Sequence, residues 1–223
     1  MGIALPRWVW IGTCALAATA GMINAVGYLG YEHQAVTHLT GTTTLLGMAI
    51  GQGRTAMALE LAALALAFLG GATLSGLIIQ NGTLKLGRRY GLALAIESAM
   101  LAAAVPMLER QWLAGIFLAA AACGLQNGMV TTYSGAIIRT THVTGLFTDL
   151  GLALGHWIRG LPVGTRRASL CLLIILSFLA GGIVGVWLFQ AYSYRALYVP
   201  AVLTGSAGFS YAAYRQLQLQ RQR

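Results

Sequence analysis

The sequence predicts an all-α polytopic membrane protein: six transmembrane helices plus two short re-entrant half-helices, built as two inverted repeats. Three observations carry that prediction. Of 223 residues, 57% are hydrophobic and only 9% charged, with a mean hydropathy of +0.72, whereas a soluble domain carries roughly 25% charged residues. A polar segment, HLTGTTTLLG at 38–47, returns as HVTGLFTDLG at 142–151. The basic residues gather in the connections beside apolar runs, as an orientation signal does.

The elements follow in order. The N-terminal MGIALPRWVWIGTCALAATAG resembles a cleaved leader in composition. Its apolar run continues past the small-residue site, however, and its end is echoed later in the chain, so 8–30 is read as a retained first span. Runs at 56–80, 89–107, 111–135, 168–191 and 196–213 complete the set long enough to cross, at about 20 residues each. Two shorter pieces, 38–52 and 142–157, are the polar segments. One membrane domain therefore covers 1–223, with repeat one at 8–107, repeat two at 111–213 and a basic cytoplasmic tail at 214–223.

The repeat rests on spacing. His38–Gly51 aligned on His142–Gly155, at an offset of 104, gives eight identities in fourteen. Upstream, Gly21 and Asn24 match Gly124 and Asn127 at an offset of 103, and downstream FLGGA at 68–72 resembles FLAGG at 178–182 at an offset of 110. Fixed-period self-similarity of this kind marks a doubled membrane unit.

Charge placement gives the relative orientation of the copies. If all eight apolar pieces crossed, nine basic residues would be cytoplasmic and five outside, with Lys85, Arg88 and Arg89 on the wrong face. If the short pieces enter and leave by one face, both termini are cytoplasmic. Only Arg54, Arg110 and Arg195 then lie outside, against eleven inside. The second arrangement satisfies the positive-inside rule better, and three crossings per unit turn the second copy upside down. Length agrees: Gly41–Gln52 makes roughly 18 Å of helix, about half of a ~30 Å hydrocarbon core. The rival reading, two short tilted spans, stays open.

Each Thr-Gly is expected to start a half-helix whose first N–H groups lack helical partners, with Thr40 and Thr144 as caps. Two such ends meeting near the midplane hold polar or anionic solutes in transporters and reject cations in some channels. The expected binding residues are Asn24, His38, Thr40, Gly41, Thr44, Asn127, His142, Thr144, Gly145 and Thr148. Glu97 lies roughly 12 Å into its span and Asp149 breaks the repeat where the first copy has Leu45. These two acids are the proton-coupling candidates, although a protonated, hydrogen-bonded Glu97 and an Asp149 paired with Arg139 or Arg159 are equally open. Glu32, Glu60 and Glu109, at span ends, read as solvated. Gly47/Gly51, Gly151/Gly155 and Gly181/Gly185 read as close-packing pairs.

Other classes find no support. Net charge is +9, but the cations flank spans rather than forming one water-facing surface, which excludes a nucleic-acid partner. Cys14, Cys123 and Cys171 sit in apolar runs without ligand spacing, which speaks against disulfides and metal. No catalytic motif is present, and no cofactor is expected.

AGMINAVGY (20–28) with HLTGTTTLLG, and CGLQNG (123–128) with TTHVTGLFTDLG (140–151), resemble the YoaK family of small bacterial inner-membrane proteins, classified as a domain of unknown function. The resemblance covers nearly the whole chain. It implies a multi-pass protein of the bacterial inner (cytoplasmic) membrane and supplies no substrate. The family commonly has Asn after the first Thr-Gly, where this chain has Thr42. It often has an acid where this chain has Asn24, so no charge-based role attaches to residue 24 here. The expected function is a small secondary transporter or channel for a small polar solute, anions included. The alternative is a non-transporting accessory or scaffold protein packing through glycine faces. At 223 residues the chain is small for a transporter working alone, which raises the prospect of a homodimer.

Overall fold

The computed structural model describes residues 7–30, 36–79, 89–134 and 140–221. Glu32, Lys85, Arg88 and Arg139 lie outside the described residues. Among the described residues eight α-helices follow one another: α1 (Arg7–Gly30), α2 (Leu39–Gly51), α3 (Thr55–Ile78), α4 (Arg89–Glu109), α5 (Leu113–Ser134), α6 (Val143–Ile158), α7 (Thr165–Tyr192) and α8 (Tyr198–Arg221). A 3₁₀ turn at Ser193–Leu197 joins the last two. No strand occurs among the described residues. Among the described residues five stretches are long and apolar enough to cross a membrane, the fifth, Thr165–Ala213, running through α7 and into α8. These helices have the character of a membrane protein: Leu59, Leu66, Leu77, Ile183, Trp187 and Phe209 point their apolar side chains outward, where lipid rather than water is the matching solvent.

Glycine decides how the helices pair. Gly21 of α1 lies so close to Phe178 and Gly182 of α7 that a methyl group there would fall 3.0 Å from the Gly182 nitrogen. Gly181 sits against Ala18, and Gly185 against Met22 and Ala25. Gly124 of α5 lies in the same way against Phe68 and Ala72 of α3, with Gly71 against Ala121 and Gly128 against Ser75. Backbones that approach this closely gain dispersion contacts, the main source of helix association in lipid. Of the three predicted packing pairs, Gly181/Gly185 sits in such a seam. Gly47/Gly51 and Gly151/Gly155 do not: a methyl at any of the four would meet nothing within 4 Å.

The same contacts fix helix directions. Ala18 and Met22 advance with Gly181 and Gly185, so α1 and α7 run parallel; Ala121 and Gly128 advance with Gly71 and Ser75, so α3 and α5 do too. Gly27 of α1 reaches Ile116 of α5, while Leu16 and Thr19 meet Gln126, which makes α1 and α5 antiparallel. Gly91 against Gly208 and Ser98 against Ala201 make α4 and α8 antiparallel. One end of the bundle is marked by Tyr133, whose ring meets Trp8 at a tilt and Tyr90 edge-on, each 5.8 Å away. The other carries the Arg195–Glu109 ion pair at 2.8 Å.

α2 and α6 lie on the outside, α2 against α3 and α6 against α7. Each leaves through a tight turn containing a glycine at φ +70°, Gly53 or Gly160, a backbone state that a side chain disfavours.

Candidate functional site

The first turns of α2 and α6 face one cavity of about 510 Å³. His38, Leu39 and Thr40 border it from one side, and His142, Val143, Thr144 and Phe147 from the other. Asn24, Phe68, Asn127 and Phe178, from the middle stretches of α1, α3, α5 and α7, form its back with Thr37 and Thr141. It is a cleft rather than a sealed chamber, since His38, Thr40, His142 and Thr144 are exposed.

The caps differ from the expectation. His38 and His142 are the N-cap residues, without a side-chain cap bond, and Thr40 and Thr144 lie inside the first turn. Threonine is the better cap in isolation. What overrides it is the chain's entry: the cap backbones have φ/ψ of −95°/65° and −89°/56°, and the helical bonds begin at Thr42 N–H to His38 O, 3.1 Å, and Leu146 N–H to His142 O, 3.3 Å. The N–H groups of Leu39, Thr40 and Gly41, and of Val143, Thr144 and Gly145, precede those bonds and have no helical partner.

The motif H-x-T-G now has a physical reading. A methyl group at Gly41 would fall 2.7 Å from His38 Nδ1, and one at Gly145 would fall 2.5 Å from His142 Nδ1. Each imidazole folds over the glycine three residues on, and only a missing side chain makes room. Gly41→Ala with Gly145→Ala is therefore expected to displace both rings, which are free to swing. Alanine's helix propensity leaves stability in detergent unchanged or higher, by up to about 1 kcal/mol per site, while any solute movement through the cleft falls.

Of the predicted binding residues, Asn24, His38, Thr40, Asn127, His142 and Thr144 line the cavity. Gly41 and Gly145 lie beneath the imidazoles. Thr44 faces an adjoining depression with Leu39, Thr40 and Thr43. Its hydroxyl donates to Thr40 O at 3.0 Å, as that of Thr148 does to Thr144 O at 3.1 Å. Those two hydroxyls are used within their helices. Those of Thr40 and Thr144 have no partner among the described residues.

Asn24 and Asn127 occupy equivalent places with different outcomes. Asn24 Oδ1 accepts from the Thr37 N–H at 3.1 Å and from its hydroxyl at 3.0 Å, tying the entry of α2 to α1. Asn127 Oδ1 has no partner among the described residues. Thr37 and Thr141 escaped the sequence reading although both immediately precede the histidines at the same offset of 104. Phe68 and Phe178 open the quoted FLGGA and FLAGG segments, yet they read there only as repeat markers.

Neither acid reaches the cavity wall. Asp149 pairs with Arg167 at 3.0 Å, not with Arg159, in a separate cleft of about 200 Å³ that also holds His156 and Cys171. Glu97 is fully buried in α4. Among the described residues no group of His, Cys, Asp and Glu is placed to hold a metal.

Residues 12–210 match the family described as "Protein of unknown function (DUF1275)". The chain belongs to that family. No curated protein and no solved structure matches it. The cavity of this DUF1275 member is thus read from its own residues: the four N–H groups of Leu39, Thr40, Val143 and Thr144, without helical partners, two imidazoles, two carboxamides and three phenyl rings, with no carboxylate among its lining. Helix N-termini carry partial positive charge, so the cleft suits an anion or a neutral polar molecule and disfavours a cation.

Proposed function

We propose that the protein is a small secondary transporter or channel of the bacterial inner membrane, carrying a small polar solute, with small anions the favoured class, through the cleft between α2 and α6. The observation that carries the reading is the convergence of the first turns of α2 and α6 on one cavity that also holds the carboxamides of Asn24 and Asn127. In this reading α2 and α6 are re-entrant. Helix direction supports it, because α1 and α3 are antiparallel neighbours in the chain and leave α2 to begin and end on the same side; α5, α6 and α7 repeat the pattern from the other side. The turns bearing Arg54, Arg110 and Arg195 then share one end, and Arg89, Arg159, Arg166 and Arg167 the opposite, cytoplasmic one.

The repeat reading gains the same kind of support. The Gly21–Phe178 and Gly124–Phe68 contacts exchange partners at offsets of 103 and 110, the offsets found in the sequence. Two inverted copies would place each half-helix in the unit opposite its own first span: α1 with α6 and α7, α5 with α2 and α3. Solute would sit between those units, with Thr40 and Thr144 offering hydroxyls beside the free amides. The backbonded Thr44 and Thr148 favour a second reading, a packed and inactive scaffold; the cavity favours transport.

Thr40→Val and Thr144→Val test the choice. Proteoliposome uptake of formate, nitrate and chloride is expected to fall for at least one of these anions in both variants, with gel-filtration profiles unchanged. Equal uptake by wild type and both variants refutes the site.

A further inference from the structure

We propose that Glu97 is a proton-binding site that loads and unloads through the solute cavity. The inference rests on the cleft described above and concerns a different group, one buried behind it.

Glu97 is 0% exposed, and neither carboxyl oxygen has a hydrogen-bond partner among the described residues. No cation lies within ion-pair distance of it among the described residues: Arg167 is engaged by Asp149 and Arg195 by Glu109. The hydroxyl beside it on α4, Ser98, is given to Ala201 O at 2.7 Å, and that of Thr204 on α8 to Pro200 O and Ala201 O at 3.0 and 3.1 Å. On the α5 side the titratable group that faces it is the buried Cys123 thiol. A carboxylate without counter-ion or donor in such a place is strongly disfavoured, so the group is carried as the neutral acid. Even then its O–H has no acceptor among the described residues, a buried donor left unsatisfied. A side chain kept only for packing would avoid both.

Its position supplies a use. Cys123 and Asn127 are one helical turn apart on α5, about 6 Å along the axis, and Asn127 lines the cavity with an unpartnered Oδ1. Phe68 separates the two regions, since it borders the cavity and packs on the core cluster of Leu101 and Cys123. Water admitted past Asn127 and Phe68 would meet the acid. The carboxyl O–H bond then breaks, the proton passes to that water, and the carboxylate recovers a proton by the same path when the seam closes.

Infrared spectroscopy of the protein in lipid tests this without any transported solute, so failure of the transport reading leaves the result interpretable. The protonated-carboxyl stretch present in wild type and missing in Glu97→Gln is expected to shift on transfer to D₂O. Asn127→Leu, which removes the polar group between acid and cavity, is expected to slow the shift by an order of magnitude. Thr40→Trp, which obstructs the mouth, is expected to do the same, and serves alone if the first variant does not fold. Absence of the band, failure to exchange, or equal rates in the variants and wild type overturns the proposal.

Discussion

Gly21→Ala and Gly124→Ala are each expected to lower the stability of the folded protein sharply, and the double variant is expected not to be recovered folded at all. Alanine in place of glycine inside a helix normally adds about 1 kcal/mol of stability, so the predicted sign is the opposite of the propensity effect. The reason is what the new methyl group meets. At Gly124 it would fall 2.9 Å from the Phe68 carbonyl carbon and 3.1 Å from the Ala72 nitrogen; at Gly21 it would fall 3.0 Å from both the Phe178 carbonyl carbon and the Gly182 nitrogen. These are backbone atoms of a neighbouring helix and have no rotamer to escape into. The pair must separate, losing contacts along the whole seam, at the upper end of the ~1–3 kcal/mol typical of overpacking. The two seams share no residue, so the penalties add. Gly47→Ala and Gly151→Ala are the controls: both glycines face open space, and the ordinary gain applies. Melting of purified protein in detergent, followed by fluorescence or gel filtration, gives the comparison. Equal midpoints for all four single variants would mean the seams are looser than described.

That contrast also marks what the sequence discloses. Composition alone gives lipid as solvent, and the H-x-T-G pairs with their offsets give the two short helices and the histidines, threonines and asparagines around one cavity. Glycine spacing does not reveal which glycines pack, because Gly47/Gly51 and Gly181/Gly185 are identical patterns in a string of letters. Their difference lies in which helix is opposite, a property of tertiary pairing. The cap position was hidden for a related reason: Thr40 has the better intrinsic preference, but the entering chain, held by the Thr37–Asn24 bonds, places His38 at the boundary. Asp149 stands out as a break in the repeat, yet its partner, Arg167, lies on the next helix, where no local pattern points. Glu97 was legible as a costly group inside a span; that it lacks any partner required the packing of α4.

A topological experiment carries the largest consequence, because its two outcomes are all-or-none. With Cys14, Cys123 and Cys171 replaced by alanine, a single cysteine is placed at Arg54, after α2, or at Leu161, after α6, both of which are exposed. A membrane-impermeant maleimide is then applied to intact spheroplasts. If α2 and α6 each dip in and return, the two turns lie on opposite faces: Arg54→Cys reacts at once and Leu161→Cys reacts only after permeabilisation. If both helices cross the bilayer, each adds one crossing and both turns fall on the cytoplasmic face, so neither reacts until permeabilised. The structure bears on the choice through direction. With α1 antiparallel to α5 and α5 parallel to α3, α1 ends on the side where α3 begins, and a segment between them that crossed would strand α3 on the wrong face. Length bears on it as well, since the thirteen residues of α2 make roughly 20 Å of helix at 1.5 Å per residue, short of a ~30 Å core. Matched labelling of the two positions would remove the meeting of helix ends at mid-height, and with it the reason for four amides without helical partners to share a cavity with the Thr40 and Thr144 hydroxyls. Opposed labelling would leave those amides where a bilayer can least solvate them, which is tolerable only if something polar arrives to take their hydrogens.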